Sequence, residues 1–543
     1  MLLYIATGET KDRCPSVLDK HIYSCFSSLK VKLAIRNAES RWKLLQEVHN
    51  PSTFDISPKS TAGGITVASS AHSLKVALVV PKCNLRLSNH CPPWNLGYIA
   101  SYLRKTLPNV EIRVFDGLTG DDPERCVREF QPSVVGVTAT TPQAPEAYRL
   151  GDAIRSDYPD ILTVIGGIHA TIMPKEALEH FDVVVVGEGE KTFSQIVQCF
   201  QNKQPQQGII EGEPVEDLDD IPSPAFDLIN VQHYLRQGIT LPHLKPPTIG
   251  MITSRGCPYR CAFCYNCFRK TKVRFFSAKR VVEDILFMRK AFGINSIFFN
   301  DDEFLINNER IEELSALFKY HGIDKWLSWG CQVRATTVTV RLLRMIKNMG
   351  CVVLSVGLES GTERILRYLK SGSSTLIKNK EALDMAEEVG ITMGGSFIFG
   401  TPTETLQEMR QTLNWALANP KLKFMGVCIL APYPGTKVWD LCKRNGLLPE
   451  KVEYEKLHRD ENSPEQMYLV TTIPKKTFVR FIKDVNKTAW FISSIRPNHS
   501  IKKFVYMLGF PTVWRVFANH PMIALTEFLN IAKNSKTFDQ NTE

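Results

Sequence analysis

The sequence predicts an α/β protein. A doubly wound parallel sheet is expected first, then a partial barrel of six strand–helix units, then a C-terminal helical extension. Three observations carry this. Short runs at 75–80, 133–138 and 182–186, apolar apart from their end residues, alternate with longer helical patterns, as strands buried on both faces do. Gly, Thr and charged residues gather just beyond the ends of those runs. After residue 450 the strand pattern stops, while basic and aromatic residues continue at helical spacing.

The first domain is expected over 74–205. Its strands are read at 75–80, 110–115, 133–138, 161–165 and 182–186, and its helices at 93–104, 144–156 and 192–200. Ligands of such sheets bind beyond the carboxyl ends of the strands. There the chain places Thr138, Thr140, Thr141, Gly166, Gly167 and Gly187, small residues that let a flat or phosphate-bearing ligand approach the backbone. No GxGxxG run is present, which disfavours a dinucleotide. Residues 206–246, acidic at 211–220, read as a linker.

The barrel is expected over 247–447. Its strands are read at 247–253, 296–300, 326–333, 352–357, 392–399 and 425–430, with helices at 278–292, 308–321, 338–349, 374–389 and 404–418. Polar motifs fall at the strand ends: Asp301 and Asp302, Arg334, Glu359 and Ser360, 400–405 and 432–436. Barrel chemistry sits at that end of the strands. Residues 1–73 read as a leader and linker, with a short amphipathic helix at 36–49. The region 448–543 reads as helical, as a cap over the barrel or as a basic, aromatic surface for lipid.

The chain has 543 residues, 43% hydrophobic and 22% charged, which suits several globular domains. Its net charge of +10 is modest for that length, and no nucleic-acid reading motif accompanies it. Fourteen cysteines in so long a chain do not read as a disulfide scaffold and fit a reducing compartment. No signal peptide and no membrane-spanning run is expected, so a cytoplasmic location is.

Cys257, Cys261 and Cys264 are separated by three and then two residues. Thiolates ligate iron–sulfur clusters, a four-iron cubane normally takes four, and three leave one iron open. Structural zinc is the competing reading. It wants four ligands, usually as two separated pairs; no second pair is present, and Cys267 is the one rival ligand nearby.

The spacing CxxxCxxC, with Phe263 before its third Cys, resembles the signature of the radical SAM superfamily. Upstream, Pro-Pro-Trp-Asn-Leu-Gly-Tyr at 92–98, Gly-Gly-Ile-His-Ala-Thr at 166–171 and Gly-Glu-Gly-Glu at 187–190 resemble the cobalamin-binding domain of its B12-dependent class. Ile-Pro-Ser-Pro-Ala at 221–225 resembles that class's interdomain linker.

The resemblance implies a Rossmann-like, B12-binding sheet and a [4Fe-4S] cluster on Cys257, Cys261 and Cys264. The fourth iron would be chelated by the amino and carboxylate groups of S-adenosylmethionine (SAM). Asp301 and Asp302 would then face the methionine amine, with a helix N-cap as the alternative. Arg334 would pair with the SAM carboxylate or another carboxylate of the site, with a surface ion pair as the alternative. Phe263, Glu359, Ser360, Ile398 and Pro432 would line the SAM site, with barrel core as the alternative for the apolar ones. Cobalamin would lie against Thr138, Thr140, Thr141, Gly166, Gly167, His169, Gly187 and Glu188. The cobalt-ligating DxHxxG motif is absent, which implies base-off cobalamin without a His ligand, or with another residue near cobalt.

The activity implied is methyl transfer to an unactivated carbon of a small or lipid-like substrate. An electron donor such as a flavodoxin or ferredoxin would serve it, with peripheral membrane contact through the C-terminal region. An oxidative cyclase is the alternative, and a non-catalytic corrinoid or cluster sensor a third reading.

Overall fold

A computed structural model describes residues 74–83, 91–265, 272–458 and 463–497. The leader, the 36–49 helix, Cys267 and the chain beyond 497 lie outside the described residues.

The first sheet is wholly parallel. Its strands are β1 (Leu74–Val80), β2 (Val110–Asp116), β3 (Val134–Thr138), β4 (Leu162–Gly166), β5 (Val183–Val186) and β6 (Gly208–Glu211), in the order β2-β1-β3-β4-β5-β6. Strand order reverses between β1 and β3, so a crevice is expected at their carboxyl ends. The strand residues Val76, Leu78, Val134, Val135, Val183 and Val184 are buried, and they pack beneath helices α1 (Trp94–Thr106), α2 (Pro123–Phe130), α3 (Ala144–Asp157) and α4 (Glu190–Gln201). Strand β6 lies in the stretch read as linker. Its alternating half-buried and exposed residues fit a short edge strand.

The second sheet is also parallel: β7 (Thr248–Met251), β8 (Ser296–Phe299), β9 (Ser328–Val333), β10 (Cys351–Glu359), β11 (Thr392–Phe399) and β12 (Met425–Ile429), paired in sequence order. It is the six-strand series predicted, and it surrounds a core that includes Ile249, Ile297, Phe299, Trp329, Leu354 and Phe397. Local chemistry starts the outer helices in a repeated way. Ser277, Asn307, Thr339, Thr375, Thr405 and Thr436 each accept, through the side chain, a bond from the backbone N–H three residues on.

Both open edges of this sheet are covered. At β7, Trp94 of α1 donates its indole N–H to the Gly250 carbonyl at 2.8 Å. At β12, the Met425 N–H donates to Ser493 at 3.0 Å. Ser493 lies on the C-terminal helix, Lys475–Ile495, which buries Phe478, Ile482 and Phe491. Covering an edge removes a template for aberrant strand pairing. The described part of the C-terminal region therefore covers the β12 edge, and it also packs at the strand-end side, where Val470 shares an apolar cluster with Ala262 of the cysteine loop and Phe478 lies against Gly400.

Candidate functional site

The crevice at the β1/β3 reversal opens into a cavity of about 290 Å³ shared by the two sheets. On the first-sheet side it is lined by Thr138, Gly166, Gly167, Gly187 and Glu188. Gly136 makes its floor low: a Cβ there would stand 2.9 Å from the Phe193 ring and 3.0 Å from Leu78. On the barrel side the wall is Ile252, Ser254, Arg255, Gly256, Asn300 and Asp302. Gly256 directly precedes Cys257, so the cavity abuts the cysteine loop.

That loop is held by main-chain bonds. Ala262 N–H donates to the Leu369 carbonyl at 2.8 Å, Val438 N–H to the Ala262 carbonyl at 3.2 Å, and the Ser371 hydroxyl to the Arg260 carbonyl at 2.6 Å. Cys261 is buried, Cys257 half-buried and Cys264 exposed. Burial pushes the Cys257 thiol up; the nearby Asp302 and Cys261 act the same way, and Arg334 opposes them. Among the described residues no three His, Cys, Asp or Glu side chains converge as ligands of one metal ion.

Arg334 reaches this loop from the end of β9. Its Nη1 donates to Cys261 Sγ at 3.4 Å and its Nη2 to the Ser373 hydroxyl at 2.5 Å, and its guanidinium carbon lies 3.7 Å from the Tyr259 ring centroid. Its Nε is buried without a partner.

The adjacent carboxylates Asp301 and Asp302 part company. Asp302 stays exposed on the cavity wall. Asp301 is buried and accepts from the Thr253 N–H at 2.5 Å and the Thr253 hydroxyl at 2.6 Å, while Arg310 donates to that hydroxyl at 2.6 Å. Its carboxyl is pushed up by burial, with Arg310 and Thr253 offsetting part of this. Asp301 thus fixes the β7 end and leaves the cavity-facing position to Asp302.

Glu359, at φ +60°, forms a buried ion pair with Lys370 at 2.7 Å, and a Cβ on Gly357 would collide with both partners. Ser360 instead bonds Thr412 of the outer helix Leu406–Ala418 at 3.1 Å, so it ties β10 to the helical layer. Phe263 and Ile398 share an apolar cluster with Leu430 and Val438, and Pro432 is buried nearby in sequence.

Three residues expected at the corrin site fall outside the cavity. His169 is fully buried; its Nε2 lies 2.8 Å from the Tyr148 hydroxyl and its Nδ1 3.4 Å from the Thr141 hydroxyl. Burial lowers its pKa to about 4, so the ring is a neutral packing element. Thr141 is its buried neighbour. Thr140 caps the turn Thr141–Gln143, its hydroxyl donating to Gln143 at 2.7 Å.

The structure also brings in residues that the sequence reading passed over. Arg255 donates to Glu188 at 2.8 Å and to Glu190 at 2.5 Å, and Arg274 pairs with Glu188 as well. Burial pulls the Arg255 pKa down, but Glu190 and Glu188 more than offset it and raise it overall. The second acid of Gly-Glu-Gly-Glu and the Arg two positions before Cys257 were the local signals for this clamp. Lys370, eleven residues past Glu359, carried none.

Comparison with known proteins agrees with the two-module fold. The family described as the B12 binding domain matches residues 84–197, and the Radical SAM superfamily matches 251–416. An uncharacterized methyltransferase of Pyrococcus horikoshii is 30% identical over 401 residues, covering 69% of this chain and 84% of its own. The cytidylyl-2-hydroxyethylphosphonate methyltransferase of Streptomyces wedmorensis is 25% identical, covering 71% and 85%. An anaerobic magnesium-protoporphyrin IX monomethyl ester cyclase of Rubrivivax gelatinosus is 28% identical, covering 62% and 65%. Among solved structures, the radical SAM methyltransferase TsrM from Kitasatospora setae, with cobalamin and a [4Fe-4S] cluster bound, superposes with a TM-score of 0.55 at 18% identity, covering 68% and 75%. The apo form of OxsB, a cobalamin-dependent SAM radical enzyme, superposes with a TM-score of 0.61 at 18% identity, covering 90% and 80%. At these identities the likeness to the solved structures is one of fold.

Proposed function

Because the chain belongs to the family of radical SAM enzymes that carry a B12-binding domain, we propose that it is a cobalamin-dependent methyltransferase acting on an unactivated carbon. One observation carries the reading. A single cavity is walled on one side by the strand ends of the first sheet and on the other by the barrel residues that lead into Cys257.

The residues present fit the groups implied. Three thiols on a pinned loop are the donor set of a [4Fe-4S] cluster with one open iron. Gly136, Gly166 and Gly167 form a low cradle for a corrin, beside Thr138, Gly187 and Glu188. Asp302 is the carboxylate left to receive the methionine amine, and the unpartnered Nε of Arg334 is a donor left for the methionine carboxylate. When bound, the cluster with SAM supplies radical initiation, and cobalamin supplies the methyl carrier. The chain orients these groups toward one volume.

Exposed Cys264 marks the edge of the cluster loop where a flavodoxin- or ferredoxin-type donor would deliver electrons. Among the described residues no helix is long and apolar enough to cross a membrane. The face of the C-terminal helix with Lys476, Arg480 and Lys483, and the partly exposed Trp490, suits peripheral contact with an anionic lipid surface.

The test is anaerobic reconstitution of the full chain with iron, sulfide and hydroxocobalamin, followed by SAM and dithionite. Cluster absorbance, retained corrinoid, 5′-deoxyadenosine and S-adenosylhomocysteine are all expected. Deoxyadenosine without the homocysteine product would turn the reading toward the cyclase-type reaction. Cys264→Ala should abolish cluster absorbance while Cys267→Ala keeps it; the reverse result would overturn the ligand assignment.

A further inference from the structure

We infer that Arg334 is a positioning residue that sets the reduction potential of the cluster, making the one-electron reduction easier before SAM binds. The inference rests on the cluster reading above and deepens it.

Arg334 is 7% exposed and is held on three sides. The Tyr259 ring, between the first two cysteines in sequence, lies against its guanidinium carbon at 3.7 Å. The Ser373 hydroxyl accepts from its Nη2 at 2.5 Å and donates in turn to the Lys370 carbonyl at 2.6 Å. Its Nη1 points at Cys261 Sγ, 3.4 Å away, within the range of an N–H···S hydrogen bond. The turn that carries Ser373 also grips the cysteine loop itself, through Leu369 and Ser371. Cation and thiolate are therefore fastened to one support, and their spacing is built into the fold.

The physical consequence follows from charge. Reduction adds one electron from the external donor to the cluster and takes up no proton, so the cluster becomes more negative by one charge. A fixed cation, and a hydrogen bond to a ligand sulfur, stabilise the reduced form more than the oxidised form. Arginine suits this role because it stays charged when buried and its planar fork can serve sulfur and hydroxyl together. Nothing in this arrangement requires SAM, so the effect belongs to the resting protein.

The experiment is a redox titration of the reconstituted full-length protein without SAM, following the reduced cluster by electron paramagnetic resonance. Arg334→Gln should lower the equilibrium constant for reduction about tenfold, a shift of ~59 mV to more negative potential for one electron. Arg334→Lys, which keeps the charge, should recover most of the shift. Ser373→Ala, which frees one end of the guanidinium, should move the potential the same way by less, and it decides the matter if Arg334→Gln takes up no cluster. An unchanged potential in a fully loaded Arg334→Gln protein, with only SAM affinity reduced, would overturn the inference and leave Arg334 as a SAM ligand. A wild-type chain that takes up no cluster would overturn the proposed function instead.

Discussion

Glu188, beyond the last central strand of the first sheet, and Arg255, two residues before the first motif cysteine, form an ion pair at 2.8 Å across the boundary between the two modules. Their side chains are only 4% and 13% exposed, and Arg255 also serves Glu190. The pair joins the expected corrin loop to the expected cluster loop. Removing one partner of a buried pair leaves an uncompensated charge, which costs about 3–5 kcal/mol. Arg255→Met should therefore lower the unfolding free energy by about that much in urea titrations and weaken retention of both cofactors. Adding Glu190→Gln to Arg255→Met should restore much of the stability, because Glu188 still has Arg274 as its partner. A loss below about 1 kcal/mol would show that the clamp is solvated and unimportant.

Gly166 permits the proposed corrin site to be blocked without harming the fold. Its φ is not positive, and a Cβ there would meet nothing closer than Val185, at 3.9 Å. A leucine would project into the cavity instead of straining the backbone. Gly166→Leu should keep the melting temperature within a few degrees and keep the cluster absorbance, yet retain no corrinoid after gel filtration. Corrinoid bound at wild-type stoichiometry would place the ligand elsewhere.

The burial of His169 gives it a structural part. Its two ring nitrogens face Tyr148 and Thr141, and the Tyr454 ring lies 4.7 Å away. Leaving a buried hydroxyl without its partner costs about 1–3 kcal/mol. His169→Gln should lose roughly that much stability while the visible spectrum of bound cobalamin stays as in wild type. A change in that spectrum, with stability intact, would put an imidazole at cobalt.

Much of this fold is legible in the sequence because buried parallel strands leave continuous β-branched runs, such as the four valines Val183–Val186, and because the helices of the barrel announce themselves with Ser, Thr or Asn caps. The cysteine loop is legible from spacing alone. The rest depends on contacts that close only in three dimensions. Glu188 meets Arg255 across 67 residues. Asp301 and Asp302 are adjacent, but one is buried and the other exposed, and the sequence does not say which. Strand β6 sits in a polar stretch and is short, so no periodicity marks it. Thr140 and Thr141 belong to the expected strand-end cluster, but the first is used as a cap and the second faces His169.

Glu303 shows how burial beneath the barrel mouth couples to pH. The residue is 2% exposed, its side chain accepts from the Thr337 hydroxyl at 3.1 Å, and its Oε2 has no partner. Burial pushes its pKa from an ordinary 4.5 to about 7, with Thr337 and Arg334 opposing. The native carboxyl therefore holds its proton where the unfolded chain has released it. The associated stability is full below about pH 4.5 and is lost as pH rises through about 7. Glu303→Gln keeps the shape but cannot ionise. Its stability relative to wild type should rise between pH 5 and pH 8, by ~3 kcal/mol at most. Paired urea titrations of the two proteins at those pH values measure this directly. A difference that stays flat across the range would mean that Glu303 is ionised in the native protein, with a counter-charge close enough to hold it so.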